Sequence, residues 1–330
     1  MARVTIKDVA REAQVSINTV SRALNDKPDV RPETREIVLE AAERLGYRPN
    51  RLARGLRSSQ TGVIGTIVAD IANPFFSAVV KGMGEEARAA GYSLVLQDTA
   101  EVYANEESAI RTLQAEQVDG VLLTPVQSSR ESLRMLREAN LPFVLVARHF
   151  DDSETNCVVA DDVDGGRLAT AHLLDRGHRR IGFINGPLVN SSARERLAGY
   201  RAALQERGLG TDPVLMSDGA LTMEDGYEHA GRLLAEAQPT ALFAFSDYVA
   251  LGAMKAVQEA GLSIPEDVAV VGYDDIDFSS CLQSPLTTVR VPKREIGRQV
   301  VRILIQMLKQ PDLAPQVVRL PVELIVRDSS

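Results

Sequence analysis

The chain of 330 residues is short of the groups that most enzyme chemistries need. Its two cysteines, Cys157 and Cys281, are too few and too far apart in sequence for a disulfide framework or a thiolate zinc site. Both are expected to be reduced residues of the core. The four histidines show no metal-ligand spacing, and there is no glycine-rich phosphate loop of the GxGxxG or GxxxxGK type and no nucleophile elbow. A doubly wound enzyme would have to work with the adjacent Asp274 and Asp275 alone, so catalysis is not expected and neither a metal nor a cofactor is implied. No run of about 18 apolar residues is available to cross a bilayer. The opening MARVTIKDVAREA lacks the apolar segment of a secretory signal, so the chain is expected in the cytoplasm. What is abundant is ordinary: 45% hydrophobic and 25% charged residues exclude a disordered chain. The length calls for two or three domains.

A formal net charge of −8 argues at first against a nucleic-acid partner, but the charge is segregated. Residues 1–60 carry 12 Lys and Arg against 8 Asp and Glu, a net of +4, whereas the remainder carries 25 against 37, a net of −12. A small basic module is tethered to an acidic body. Because +4 is modest, a chance cluster of arginines on a solvated face explains the charge equally well, and the pattern of residues has to decide.

That pattern is helical. Thr5 with Asp8 fits a capping box opening a short helix whose Ile6, Val9 and Ala10 form one apolar face, ending near Ala13. Gln14 and Val15 form a tight turn. Ser16 is a natural N-cap for a second helix, Ile17 to about Leu24, with Val20, Ala23 and Leu24 inward and Asn18, Thr19, Ser21 and Arg22 outward. A third helix starts near Pro32, runs through Ile37, Val38, Ala41 and Leu45, and is closed by Gly46. This is a three-helix helix-turn-helix unit.

The stretches TIKDVAREAQVSINTVSRALN, VRPETREIVLEAAERLGYRPN and RLARGLR closely resemble the headpiece of the LacI/GalR family of transcription regulators. The resemblance implies that the second helix lies in the major groove, with Ile17 and Asn18 at the positions that set operator sequence and Arg22 at that of a guanine-reading arginine. The chemistry suits these roles: Arg can bond guanine O6 and N7 together, Asn can read adenine, and Ile can touch a thymine methyl. Thr5, Ser16, Thr19, Ser21, Asn25, Thr34 and Tyr47 carry the hydroxyls and amides expected of phosphate contacts, or are simply caps and solvated surface. The family usually has Gly where this chain has Gln14. The segment Asn50 to Arg57 resembles the family's hinge helix, with Ala53 and Leu56 forming an apolar edge among three arginines. Eight residues with Gly55 among them make a marginal helix, expected to fold only on DNA. The resemblance implies that Leu56 of each of two subunits wedges into the minor groove; otherwise it is a linker leucine.

From residue 61 onward short apolar runs alternate with amphipathic helical stretches: VIGTIVAD, SLVLQDT, GVLLTP and FVLVAR, then RIGFING, ALFAFSD and VAVVGYDD. This is the α/β alternation of two lobes with parallel sheets. Ligands of such sheets bind beyond the carboxyl ends of the strands, where Asp70, Asp98, Thr124, Arg148, Asp161, Ser246, Asp247 and Asp274 fall. Each of these acids has helix capping as its alternative role.

The body is similar to the effector core of the same family and to periplasmic sugar-binding proteins, through SSARERLAGY, SDYVALGAMKAV, VAVVGYDDIDFSS and SPLTTVRVPKREIG. Carried over by position, Arg196 and Asp274 match residues that grip sugar hydroxyls, and Asn73, Phe75, Phe76 and Ser246 match other pocket positions; Thr124, Arg148 and Asp161 complete the candidate set. A guanidinium and a carboxylate can bracket a vicinal diol with charge-assisted hydrogen bonds. Three departures bear on the ligand. The pocket aspartate common after LPFVLV is replaced by Ala147 with Arg148 beside it, a stacking aromatic by Leu221, and a pocket Gln by Val291. A lost carboxylate beside a gained Arg suits an anionic sugar; a surface salt bridge accounts for Arg148 as well. The implied layout is a headpiece at 1–48, a hinge helix and linker at 49–60, and a core at 61–330. The core's N-lobe takes about 61–161 and 292–320, and its C-lobe about 162–291 and 321–330. The implied function is a homodimeric repressor on a pseudopalindromic operator, switched by a small sugar-like molecule in the interlobe cleft. The alternative is a catabolite-control type of regulator, whose partner is a protein docked on the N-lobe.

Overall fold

The computed structural model describes residues 4–24, 29–47, 60–151 and 155–330. The chain divides into two compact units, Met1–Gly62 and Val63–Ser330.

The first unit holds helices α1 (Ile6–Glu12), α2 (Ile17–Leu24) and α3 (Pro32–Arg44). Asp8 accepts from both the backbone N–H and the hydroxyl of Thr5, at 2.9 and 2.7 Å, which anchors the start of α1. Ser16 accepts from the Thr19 N–H at 3.0 Å and caps α2. Val9, Val20, Ala23, Val38 and Ala41 of the three helices meet in one buried cluster. The turn between α1 and α2 places Gln14 at φ 54°, in the left-handed region. This is the position where the family usually has glycine, and a side chain there costs about 1 kcal/mol of local strain. At the end of α3, Gly46 adopts φ 63° and closes the helix as its sequence position suggests.

The second unit contains two six-stranded sheets. The first has the order β11-β5-β4-β3-β1-β2, from β1 (Val63–Val68), β2 (Ser93–Asp98), β3 (Gly120–Leu123), β4 (Phe143–Val146), β5 (Cys157–Ala160) and β11 (Val317–Leu320), all pairs parallel. The second has the order β12-β10-β9-β8-β6-β7, from β6 (Ile181–Ile184), β7 (Met216–Ser217), β8 (Ala241–Ala244), β9 (Ala269–Asp274), β10 (Thr287–Arg290) and β12 (Glu323–Ile325). Only β12 runs antiparallel to its neighbour. The chain therefore crosses between the sheets three times, after β5, after β10 and after β11. Strands β3, β4, β5 and β8 are buried at every residue, as unbroken apolar runs require when helices cover both faces of a parallel sheet.

The helices pack on these sheets in pairs. Helix α4 (Pro74–Ala89) lies against α11 (Lys293–Lys309), α5 (Tyr103–Ala115) against α6 (Glu131–Glu138), α7 (Asp162–Asp175) against α8 (Ser191–Glu206), and α9 (Met223–Glu236) against α10 (Asp247–Glu259). Three of these pairs, α4 with α11, α7 with α8 and α9 with α10, cross where one glycine from each helix meets the other's backbone: Gly82 with Gly297, Gly166 with Gly199, and Gly226 with Gly252. A Cβ on any of the six would collide with a main-chain carbonyl opposite. The Gly166 contact is the backbone of Arg196, so this crossing also fixes where Arg196 starts.

The cysteines separate. Cys157 is buried in β5, but Cys281 is exposed after the short 3-10 turn Asp277–Ser280, which corrects the expectation that both sit in the core. Ser279 takes the inward place there, donating its hydroxyl to Asp247 at 2.6 Å.

Candidate functional site: a helix-turn-helix face and an interlobe cleft

On the headpiece, the inward positions of α2 are filled by Val20 and Ala23, which leaves Ile17, Asn18 and Arg22 exposed together on its outer face. Arg22 forms an ion pair with Asp29 in which both partners are about half exposed. Such a pair is worth about 1 kcal/mol or less, so a guanine edge can displace the aspartate. The Thr19 hydroxyl is engaged with Ser16 at 2.8 Å. Thr5 is exposed, Ser21 and Thr34 are half-buried, and Tyr47 packs its ring on the headpiece cluster. Asn25, Asn50, Ala53 and Leu56 lie outside the described residues.

In the second unit a cleft between the two sheets is walled by Asp70, Asn73, Phe75, Phe76, Glu101, Ala147 and Arg148 on one side and Ser192, Arg196, Leu221, Phe245, Ser246 and Asp274 on the other. Seven of the nine residues expected from the sequence are thus brought together. Asn73 caps α4, accepting from the Phe75 N–H at 3.0 Å, and the Phe75 and Phe76 rings meet edge to face at 5.1 Å. Ser246 caps α10 through the Val249 N–H. Thr124 and Asp161 fall outside the wall. Thr124 is fully buried behind β3, and Asp161 caps α7 by accepting from the Asp164 N–H at 3.1 Å, so for it the capping alternative holds.

Arg196 is the centre of the C-lobe wall. Its Nε donates to Asp162 at 2.8 Å, one terminal nitrogen donates to the Phe245 carbonyl, and the other lies 3.9 Å from Asp274. The guanidinium sits 3.6 Å over the Tyr273 ring and 4.5 Å over that of Phe245. Burial works against its charge, but Asp162 and Asp274 overcome that and hold its pKa above the ordinary value. Burial pushes Asp274 up to about 8, with the Arg196 guanidinium working against that shift. No hydrogen bond from the described residues reaches that carboxyl. Beneath it Asp247, raised to about 6 by burial, accepts from Ser279, Thr288 and the Ile276 N–H and braces the end of β9. Backbone strain gathers here: Asp274 has φ 108° and Asp275 φ 53°, and across the cleft Ala100, Glu101 and Ala147 are at 49°, 57° and 59°. Left-handed non-glycine residues cluster where a site dictates the backbone.

Arg148 does not lie free in the cleft. Its two terminal nitrogens grip both oxygens of Glu101, one at 2.9 Å, and it also donates to the Pro125 carbonyl at 3.0 Å. The pair is a salt bridge, but one built into the cleft wall and not on the outer surface. Glu101, Ser192 and Phe245 of the wall were not singled out in the sequence.

The lobes are also linked directly. Gln127 donates to the His149 carbonyl and accepts from the Ser191 N–H at 2.8 Å, and Ser191 accepts from the His149 N–H at 3.0 Å. His149 and Arg319 of one lobe hold Glu195 of the other, at 2.9 and 2.8 Å. Burial alone would raise Glu195, but these two partners hold it down to about 2; the Glu195 carboxylate in turn raises His149.

A helix-turn-helix unit preceding a two-lobed core with a polar cleft between its sheets is the layout of a DNA-binding regulator with a ligand-binding domain. Two family models cover the chain: bacterial regulatory proteins of the lacI family over residues 5–50, and the periplasmic binding proteins and sugar-binding domain of the LacI family over 61–328. The chain belongs to the LacI family. It is 36% identical over 327 residues to the HTH-type transcriptional repressor PurR of Vibrio atlanticus and 37% identical over 329 residues to that of Haemophilus influenzae, with 98% of each chain covered. Among solved structures it resembles the lac repressor dimer bound to operator and the anti-inducer ONPF, with TM-score 0.88 and 33% identity over 99% of both chains. It also resembles the transcriptional regulator CelR in complex with cellobiose, with TM-score 0.78 and 35% identity over 99% of this chain and 100% of that one. The protein is a DNA-binding transcriptional repressor with a ligand-binding domain, a regulator and not an enzyme. No helix among the described residues is long and apolar enough to cross a membrane.

Proposed function

We propose that the protein represses transcription in the cytoplasm as a homodimer on a pseudopalindromic operator, released or retained by a small neutral polyhydroxyl ligand in the interlobe cleft. The proposed layout is a headpiece at 1–48, a hinge at 49–60 that folds on DNA, and a core at 61–330 whose lobes exchange chain at the three crossings. In the headpiece Ile17, Asn18 and Arg22 read bases, while Thr5, Ser16, Thr19, Ser21, Asn25, Thr34, Tyr47, Asn50 and Ala53 position the backbone and Leu56 wedges the minor groove. The observation that carries the ligand reading is the Arg196–Asp274 pair. A charged donor fork faces a carboxyl with no hydrogen-bond donor among the described residues, on the C-lobe wall of the cleft, and a vicinal diol supplies what both lack. Asn73 and Ser246 add polar edges, and Phe75 and Phe76 an apolar one. Ligand that spans both walls biases the angle between lobes, because it binds the closed and open states with different affinity.

Control by a docked phosphorylated protein is less well supported. It would leave the polar cleft between the two sheets without a role. The test is operator affinity by fluorescence anisotropy in a panel of neutral mono- and disaccharides. A tenfold or larger change with one compound, absent in Arg196→Ala, is the expected result. A panel that moves nothing, together with a response to a phosphorylated carrier protein, would overturn the ligand reading.

A further inference from the structure

We propose that Glu101 determines the charge class of ligand that the cleft accepts, by occupying Arg148 so that an anion finds no uncompensated cation there. The inference rests on the reading of this cleft as the effector site and adds which effectors it turns away.

The cleft wall contains two guanidinium groups, and each is matched. Arg196 is matched by Asp162 at 2.8 Å, and Arg148 by both oxygens of Glu101 with the Pro125 carbonyl as a third acceptor. The Arg148 side chain is 5% exposed and that of Glu101 18%, so the pair is largely shielded from bulk water. The acids left over are Asp70 and Asp274. An incoming phosphate or carboxylate would therefore have to break a bidentate, part-buried ion pair, or sit beside carboxyl groups with no counter-charge. A neutral polyhydroxyl molecule meets no such barrier, since the outer edges of Glu101 and Asp70 accept from hydroxyls without losing their partners.

The backbone holds the pair in place. Glu101 and its predecessor Ala100 are both left-handed, as is Ala147 just before Arg148, so both carriers are presented by turns that an ordinary loop would not adopt. Behind them, buried Glu106 accepts from the Val126 N–H at 2.6 Å and from the Ser132 hydroxyl, fixing the loop that supplies the Pro125 carbonyl. The carboxylate lost at Ala147 is thus replaced from another loop, and together with the gained arginine it leaves the wall without surplus positive charge.

The experiment is equilibrium dialysis of the full chain against labelled inorganic phosphate at pH 7, comparing wild type, Glu101→Gln and the double variant Glu101→Gln/Arg148→Gln. The single variant frees Arg148 and is expected to bind phosphate at least tenfold more tightly than either of the others, which should match each other; phosphate held elsewhere on the chain is common to all three. If Glu101→Gln fails to fold, Glu101→Asn, a residue suited to left-handed backbone, is read in its place. No gain in the single variant, or wild-type binding that disappears on Arg148→Gln alone, overturns the proposal. Failure of the cleft reading looks different: phosphate binding gained as expected, with no neutral compound altering operator affinity.

Discussion

Replacing Arg196 by Ala removes the guanidinium that neutralises Asp162, a residue 2% exposed, and strips the partner from two aromatic faces. Breaking a buried pair by deleting one member costs about 3–5 kcal/mol, because the remaining carboxylate stays buried without a counter-charge. Set against a total stability of about 5–15 kcal/mol, that is a large fraction, and it corresponds to a fall in melting temperature of roughly 10 °C for a unit of this size. Asp162→Asn alone leaves an unpaired guanidinium and is expected to cost a similar amount. The double variant carries no buried charge at the pair, so its loss should fall short of the sum of the singles by about 2 kcal/mol or more. Urea unfolding of the four proteins followed by far-ultraviolet circular dichroism measures the cycle. If the two single losses add to within about 0.5 kcal/mol, the pair does not carry the wall.

Gln14→Gly should raise headpiece stability by about 1 kcal/mol by relieving the left-handed turn, seen as slower amide exchange in α1 and α2; faster exchange would contradict the strain argument. Gly166→Ala drives a methyl into the Arg196 backbone and should cost about 1–3 kcal/mol while weakening any effector response, whereas Gly84→Ala, which meets nothing nearby, should cost little. The Glu195 carboxylate raises His149, so the stabilisation it contributes is full below pH 6.5, the ordinary histidine value, and fades as pH rises through the raised value. The stability gap between wild type and His149→Gln, measured by urea melts from pH 6 to pH 9, should therefore shrink with rising pH, and a constant gap would count against the link. Leu56→Ala should weaken binding to a selected operator at least tenfold and leave binding to random duplex within about threefold, as loss of a minor-groove wedge requires. Equal loss on both duplexes would make Leu56 a linker residue.

How far the sequence could be read varies with how local each feature is. The headpiece helices are written in short-range signals, from the Thr5–Asp8 cap to the Pro32 start and Gly46 stop, and the structure places them within a residue or two. Asn73, Ser246, Arg196 and Asp274 were visible because they follow strands or lie on a quoted motif at the ends of parallel sheets. Glu101 was not visible, because its partner Arg148 is 47 residues away and the left-handed turn that presents it contains no glycine. Phe245 was hidden in the apolar run ALFAF, since a strand buried on both faces gives no alternation to say which ring faces a cavity. Asp161 shows the converse: a strand-end acid is read equally well as a ligand or as a cap, and here it caps a helix through the Asp164 N–H at 3.1 Å and lies outside the cleft wall.

The most direct test of the whole account is selection of bound sequences from a random duplex library with the purified full chain at about 150 mM salt, where non-specific binding is weak. The selection is run alone and with the neutral saccharide panel. A pseudopalindrome with two half-sites about one helical turn apart, whose yield changes when one compound is present, is the expected result. No enrichment under any condition, or an enriched site without twofold symmetry, would contradict a dimeric, ligand-controlled repressor.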